Sequence, residues 1–215
     1  MYSQVVLDHL RRDYAGQPLD EESAGSEPLI LFERWFQEAL AAEIPFADGM
    51  VLATAAPGGQ PSARVVLLKG WTGEGFVFHT NYDSRKGEEL AANPAAALLF
   101  WWPPLHRQVR IEGLVARLAA ADSDAYFASR PRTSNLSAMA STQSGVIADR
   151  AALEERVAEC TAAWEGRELE RPANWGGYRL APHLFEFWQG RPDRLHDRLR
   201  YRRDDVRWVR ERLCP

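Results

Sequence analysis

RVVLLKGWTGEGFVFHTNYDSRKGEEL, residues 64–90, decides the fold, because two strand patterns there run into a helix start that carries positive charge where a helix disfavours it. Arg64 to Lys69 is an apolar, β-branched run with a cation at each end, and Phe76 to Thr80 is a second run. The turn-forming GWTGEG between them predicts a hairpin. Asn81 to Ser84 reads as a loop ending in an N-cap, and a helix follows from Arg85 to about Ala92, stopped by Asn93-Pro94. Arg85 and Lys86 therefore fall in the first helical turn, where the macrodipole favours Asp or Glu by about 0.3–1 kcal/mol each. A bound anion outweighs that cost: helix-start N–H groups form an anion site, and Arg64 and Lys69 on the neighbouring strand add to it. The stretch reads as a phosphate site. The competing reading, two solvated basic side chains, is weakened by four cations bracketing one hairpin.

A chain of 215 residues is long enough to bury a sizeable core, and its 46% hydrophobic and 11% aromatic content, with 8 Trp, is that of a globular protein. The net charge of -4 argues against a general nucleic-acid surface, although RPDRLHDRLRYRR near the C-terminus concentrates Arg. Asp193, Asp197, Asp204 and Asp205 interleave with that cluster and weaken a nucleic-acid reading of it. Cys160 and Cys214 form no CxxC, and no HExxH, P-loop or GxGxxG occurs, so neither a disulfide framework nor a metal site is expected. The longest apolar stretch, Ala95 to Leu105, contains Pro103 and Pro104 and is far short of the roughly 20 residues of a membrane span. A soluble cytoplasmic protein is the expectation.

Outward from the central stretch, residues 1–14 read as a short helix ending in Arg11-Arg12-Asp13-Tyr14, and GQPLDEESAGSEP as a mobile linker, so residues 1–27 form an arm before a single domain over 28–215. Phe32, Trp35, Phe36, Ala39 and Leu40 make the core stripe of a helix that starts at Pro28. Strands are expected over 50–55, 62–69, 95–102, 107–118, 178–180, 183–189, 198–202 and 206–212, with Gly113 marking a bulge. Gln108 lies on the polar face of its strand and faces either a ligand or water. A short helix over 123–128 leads into SRPRTSNLSAMASTQS, where Pro131 interrupts any helix. A surface loop explains its hydroxyls but leaves its two Arg without use, so a second anion site is the preferred reading. Asp149 caps a helix to about Trp164 that places Cys160 in the core. Short strands with helices inserted between hairpins predict a mainly β, α+β chain: an antiparallel barrel with peripheral helices rather than a doubly wound sheet.

The blocks RVVLLK (64–69), TNYDSRKGEEL (80–90), RQVRIEG (107–113), YFASRPRTS (126–134), STQS (141–144), WGGYRL (175–180) and FWQGRPDRLHDRLRY (187–201) together resemble one family, the pyridoxamine 5'-phosphate oxidases. The resemblance spans most of the chain in family order. It implies an FMN-binding split barrel, a homodimer with FMN at the subunit interface, and oxidation of pyridoxamine or pyridoxine 5'-phosphate to pyridoxal 5'-phosphate with O2 as acceptor and H2O2 as product.

Residue by residue, the resemblance implies that Arg64, Arg85, Lys86 and Ser144 help hold FMN, largely through its phosphate, while Val65, Val66, Leu67 and Leu68 lie along the flavin. Lys69, His79, Thr80, Gln108, Gln143, Trp188 and Arg198 match further FMN-contacting positions. His79 stands where the family often has Tyr. Lys69, Tyr126, Arg130 and Ser134 match residues that hold the substrate phosphate. Arg194 and His196 match positions at the reacting carbon, and Arg11, Arg12, Asp13 and Tyr14 match an arm that closes over the site. Two alternatives remain open: a related FMN oxidase acting on a non-phosphorylated ring, as in phenazine biosynthesis, and a split-barrel protein that binds flavin or haem without turnover. The substrate-phosphate set weighs against the first, and Arg194 with His196 against the second.

Overall fold

The computed structural model describes residues 13–215. Arg11, Arg12 and most of the helix expected over residues 1–14 lie outside them, and Asp13 and Tyr14 are not helical. The helices are α1 (Glu21–Ala24), α2 (Pro28–Ala41), α3 (Arg85–Ala92), α4 (Ala120–Ser129), α5 (Arg132–Ala140) and α6 (Arg150–Ala163). The strands are β1 (Gly49–Ala55), β2 (Pro61–Leu67), β3 (Gly70–Thr72), β4 (Gly75–Asn81), β5 (Ala95–Trp102), β6 (Arg107–Arg117), β7 (Trp175–Gln189), β8 (Asp197–Asp204) and β9 (Arg207–Arg212). They hydrogen-bond in the order β2-β1-β5-β6-β7-β4-β3, with β8 on β7 and β9 on β8. The pairs β3–β4, β4–β7, β7–β8 and β8–β9 are antiparallel. The expected class, an antiparallel split barrel with added helices, is borne out.

The chain divides into two compact units. The first takes residues 13–49, 98–111 and 183–215 of the described chain. Its core is aromatic: Phe32, Trp35 and Phe36 of α2 are buried with Phe100, Trp102, Phe187 and Tyr201, and the Trp35 and Phe187 rings meet edge to face at 5.3 Å. The polar tips of Trp102 and Tyr201 both find partners. Trp102 Nε1 donates to the Ala47 carbonyl at 3.1 Å and the Tyr201 hydroxyl to that of Gly25 at 3.0 Å. The second unit takes residues 50–97 and 112–182, with Phe76, Phe78, Leu90, Val115, Phe127, Leu136, Tyr178 and Leu180 inside.

Several local expectations change. The hairpin that GWTGEG closes is β3–β4, turning at Gly73-Glu74 with Trp71 opposite Phe76, whereas β2 pairs with β1. The chain leaves strand geometry at Leu68 and Lys69, which the apolar run alone did not reveal. The supposed linker holds α1, whose N-cap Asp20 accepts from Ser23 N at 2.8 Å and whose Glu21 pairs with Arg212. Pro131 interrupts the helix as expected, with Arg130 and Pro131 non-helical between α4 and α5, and it serves as the N-cap of α5. Residues 178–189 form one strand with Trp175–Gly177, since Pro182 falls between the stretch of β7 paired with β4 and that paired with β8. Leu40 is exposed. Cys160 is only half-buried, because α6 buries none of its residues fully.

Gly113 marks a close approach: a Cβ there would collide with the Ala181 carbonyl oxygen and lie 2.7 Å from Leu180 Cδ2. Gly113→Ala should therefore cost about 1–3 kcal/mol by overpacking, measured as a shift in the urea unfolding midpoint. An unchanged midpoint would show that β6 and β7 can part without loss.

Candidate functional site

The second unit contains a cavity of about 1340 Å³ bordered by β2, β4, α3, α5 and α6. Its construction starts at the entry to α3. Ser84 caps the helix, accepting weakly from Gly87 N at 3.4 Å, and its hydroxyl donates to the Asn81 carbonyl at 2.6 Å. The first helical N–H, that of Arg85, already donates to Ser144 Oγ at 3.2 Å. Lys86 does not extend into solvent: its ammonium is buried and donates to Gln143 Oε1 at 2.8 Å, Thr80 Oγ1 at 3.1 Å and Ser84 Oγ at 3.2 Å. All three partners are neutral. Burial, with the Arg64 charge nearby, pulls its pKa from 10.5 down to about 8.

Arg64 and Arg85 converge on one carboxylate. Glu89, buried on α3, accepts from Thr54 Oγ1 at 2.5 Å, Ser62 Oγ at 2.6 Å, Arg85 Nε at 2.9 Å and Arg64 Nη2 at 3.2 Å. Hydrogen bonds from Ser62 and Thr54, then from the two arginines, lower its pKa to about 2. Arg64 also donates to Thr54 Oγ1 at 2.5 Å and Ser62 Oγ at 2.5 Å, so its guanidinium is fixed from three sides. Val65, Val66 and Leu67 of β2 line the same cavity, with Val65 and Leu67 largely exposed. Leu68, expected beside them, is buried and does not line it.

The opposite group is aromatic. The His79 ring stacks on Tyr126 at 3.8 Å between centroids and on Trp175 at 5.4 Å. Arg130, leaving the end of α4, lies over the Trp175 ring at 4.6 Å. Tyr126, Arg130, Ser134 and Trp175 line the cavity together with Lys69, His79 and Thr80. Both ring nitrogens of His79 are buried without a hydrogen-bond partner, and Nε2 fills the space a Cβ would need at Gly177. The lining residues include six basic side chains, Arg64, Lys69, Arg85, Lys86, Arg130 and Arg150, against one carboxylate, Glu154. Arg64 and Arg85 are paired with Glu89 and Arg150 with Glu154, whereas Lys86 and Arg130 have no carboxylate partner among the described residues, which favours an anion beside them.

The remaining expected residues are carried by the first unit. Tyr14, Trp188 and His196 meet there: Tyr14 is edge-on to both rings at 5.2 Å, and Trp188 lies 4.7 Å from His196. His196 Nδ1 accepts from Arg191 N at 3.1 Å, which leaves Nε2 to carry the proton of the neutral ring. Arg194 is exposed and left-handed, with φ 61°. Arg198 is committed to the buried Glu186, which also holds Arg110. Gln108 is half-buried and Asp13 exposed. Sequence reading missed Thr54, Ser62 and Glu89. Glu89 carries a readable signal, four residues after Arg85 on one helical face, whereas Thr54 is brought in by sheet pairing alone.

Comparison with known proteins gives two family matches. Residues 36–163 match the family described as "Pyridoxamine 5'-phosphate oxidase", and residues 175–215 match the "Pyridoxine 5'-phosphate oxidase C-terminal dimerisation region". A protein from Acaryochloris marina named pyridoxine/pyridoxamine 5'-phosphate oxidase is 51% identical over 213 residues, 99% of this chain and 97% of that one. PhzG from Burkholderia lata, solved with tetrahydrophenazine-1-carboxylic acid, superposes with a TM-score of 0.87 at 35% identity, covering 94% of this chain and all of that one. A pyridoxamine 5'-phosphate oxidase-related, FMN binding protein from Nostoc punctiforme shares the fold, with a TM-score of 0.70 at 19% identity, over 86% of this chain and 97% of that one.

His79 titrates in a predictable window. Burial first, then the charges of Arg130 and Lys69, pull its pKa from 6.5 to about 4. The unfolded chain therefore takes up a proton below about 6.5 that the folded chain refuses until about 4, so stability is full above that window and falls as the pH drops through it. His79→Phe keeps the stacked ring without the titration. It should shrink the loss of unfolding free energy between these two pH values by roughly 1–2 kcal/mol, read from urea melts across the range. An identical acid profile would mean that His79 is protonated in place.

Proposed function

This chain belongs to the pyridoxamine 5'-phosphate oxidase family, and on that premise we propose that it oxidises pyridoxamine 5'-phosphate and pyridoxine 5'-phosphate to pyridoxal 5'-phosphate, with FMN as cofactor, O2 as electron acceptor and H2O2 as product. One observation carries the reading: the cavity is lined by two sets of cations, Arg64 of β2 with Arg85 and Lys86 of α3, and Arg130 after α4 with Lys69 after β2. A cofactor and a substrate that each bear a phosphate need two such groups. Its volume of about 1340 Å³ also exceeds the roughly 300–1,000 Å³ of a pocket for one ligand.

The residues fit FMN. The buried ammonium of Lys86 has only neutral partners and suits a phosphate, and the exposed apolar side chains of Val65 and Leu67 suit the face of a flavin ring. Arg64, Arg85, Lys86 and Ser144 would hold the phosphate, with Thr80 and Gln143 fixing Lys86 from below. Bound FMN would supply the redox chemistry that no side chain can. Lys69, Tyr126, Arg130 and Ser134 would grip the substrate phosphate, so that binding energy from this remote group orients the reacting carbon. Arg194 and His196 would act at that carbon. With Nδ1 of His196 engaged by Arg191 N, its Nε2–H is the atom available to donate. The match to a dimerisation region supports a homodimer. FMN at its subunit interface, Arg11 to Tyr14 closing over the site and Trp188, Arg198 and Gln108 contacting the cofactor are parts of the proposal that rest on the family resemblance.

The likeness to PhzG favours a second reading, oxidation of a non-phosphorylated ring. It leaves Arg130 without use. Purified protein should carry a flavin absorption band that bleaches on anaerobic addition of pyridoxamine 5'-phosphate. Bleaching by a dihydrophenazine carboxylate but not by the phosphate ester would overturn the proposal in favour of the second reading.

Lys86→Ala should leave Thr80 and Gln143 in place but remove a charge-assisted phosphate contact of about 1.5–3 kcal/mol, roughly ten- to a hundredfold in FMN affinity. Fluorescence titration of the apoprotein with FMN measures it, and unchanged affinity would refute the phosphate role.

A further inference from the structure

Arg130 is held in an unusual way. Its Nη1 donates to Asn135 Oδ1 at 2.9 Å, its Nη2 reaches the Ser134 carbonyl at 3.4 Å, and its face lies on the Trp175 ring. Among the described residues no carboxylate pairs with it. Asn135 is 4% exposed and does not line the cavity. Its amide orientation is dictated by its surroundings: Nδ2 donates to the Phe127 carbonyl at 2.8 Å, and a carbonyl oxygen can only accept. A flipped amide would set oxygen against oxygen at Phe127 and donor against donor at Arg130. Asn135 thus ties the end of α4 to the first turn of α5 and presents a single acceptor to the guanidinium.

We propose that Asn135, with the Trp175 ring against the guanidinium face, is a positioning residue that holds Arg130 in place while leaving its charge uncancelled for the phosphate of the substrate; this rests on the reading of Arg130 as a phosphate clamp. A carboxylate at position 135 would hold the guanidinium as well or better, but it would neutralise it. A neutral amide gives the geometry without the charge. The guanidinium is thereby ordered before the ligand arrives, and little rotamer entropy is left to lose on binding.

Asn135→Asp keeps the volume but, like a flipped amide, sets an oxygen against the Phe127 carbonyl, and Asn135→Ala empties a buried site. A merely structural role therefore lowers the stability of both variants and leaves their folded, FMN-loaded fraction binding phosphate alike. A positioning role makes Asp the worse one for phosphate binding. In FMN-loaded protein, the KM for pyridoxamine 5'-phosphate and the Kd for pyridoxal 5'-phosphate by absorbance titration should rise about tenfold or more in Asn135→Asp and severalfold in Asn135→Ala, with kcat within about twofold. Arg130→Ala serves as the reference. If it raises both constants while both Asn135 variants leave them unchanged, or if Ala exceeds Asp, the positioning role is overturned and the clamp stands. If Arg130→Ala itself changes neither, the clamp reading fails and the inference with it. Should Asn135→Asp not fold, Asn135→Ala and Trp175→Phe decide: a smaller ring weakens the hold on the guanidinium face, and unchanged constants in both overturn the proposal.

Discussion

The carboxylate of Glu89 is the point on which the cation-lined cavity depends. Four donor groups would otherwise compete for water or repel one another: the hydroxyls of Thr54 and Ser62 and the guanidinium groups of Arg64 and Arg85. A buried carboxylate is costly unless its lone pairs are filled, and here they are filled from β1, β2 and α3 at once. That cross-link sets where Arg64 and Arg85 point. It also supplies enough negative charge for two arginines to approach a lysine whose own contacts are all neutral.

The same device recurs in the first unit. Glu186, 4% exposed, lies between Arg110 and Arg198, and the two guanidinium groups hold its pKa below the usual carboxylate range against the opposing pull of burial. In both units an arginine expected at a ligand is first fixed by an acid behind it. Such an arrangement separates two tasks: the carboxylate provides orientation, and the surplus of cations over acids provides the attraction for an anion. Arg130 differs, being oriented by an amide and a ring with no carboxylate among the described residues.

Charge at the start of α3 illustrates how the local penalty is absorbed. Arg85 turns along the helix to Glu89 four residues on, an ion pair of favourable spacing. Lys86 folds back over the cap, where Ser84, Thr80 and Gln143 replace its lost water at the expense of a lowered pKa. The residual positive field at the helix entry is then borne by the cavity.

Much of this was legible in the sequence, because it is encoded locally. Ser84 before Arg85, the breaker at Asn93-Pro94, the stripe of Phe32, Trp35 and Phe36, and the Asp149 cap each act within one turn of chain, and each forms as read. The cation surplus was legible too, since it is a count of residues, and the family blocks were legible as ordered strings. What required the tertiary structure is whatever depends on which segments meet. GWTGEG was correctly a turn, but only sheet pairing decides that β3 rather than β2 joins β4. Cys160 follows a helical stripe, yet its burial depends on what packs against α6. Glu89 as a hub and Asn135 as the holder of Arg130 are likewise invisible to local reading, because a hydrogen bond between Thr54 and Glu89 or between Phe127 and Asn135 exists only once the backbone has brought separated residues within 3 Å. Propensity acts along the chain, and the satisfaction of buried polar groups acts through space.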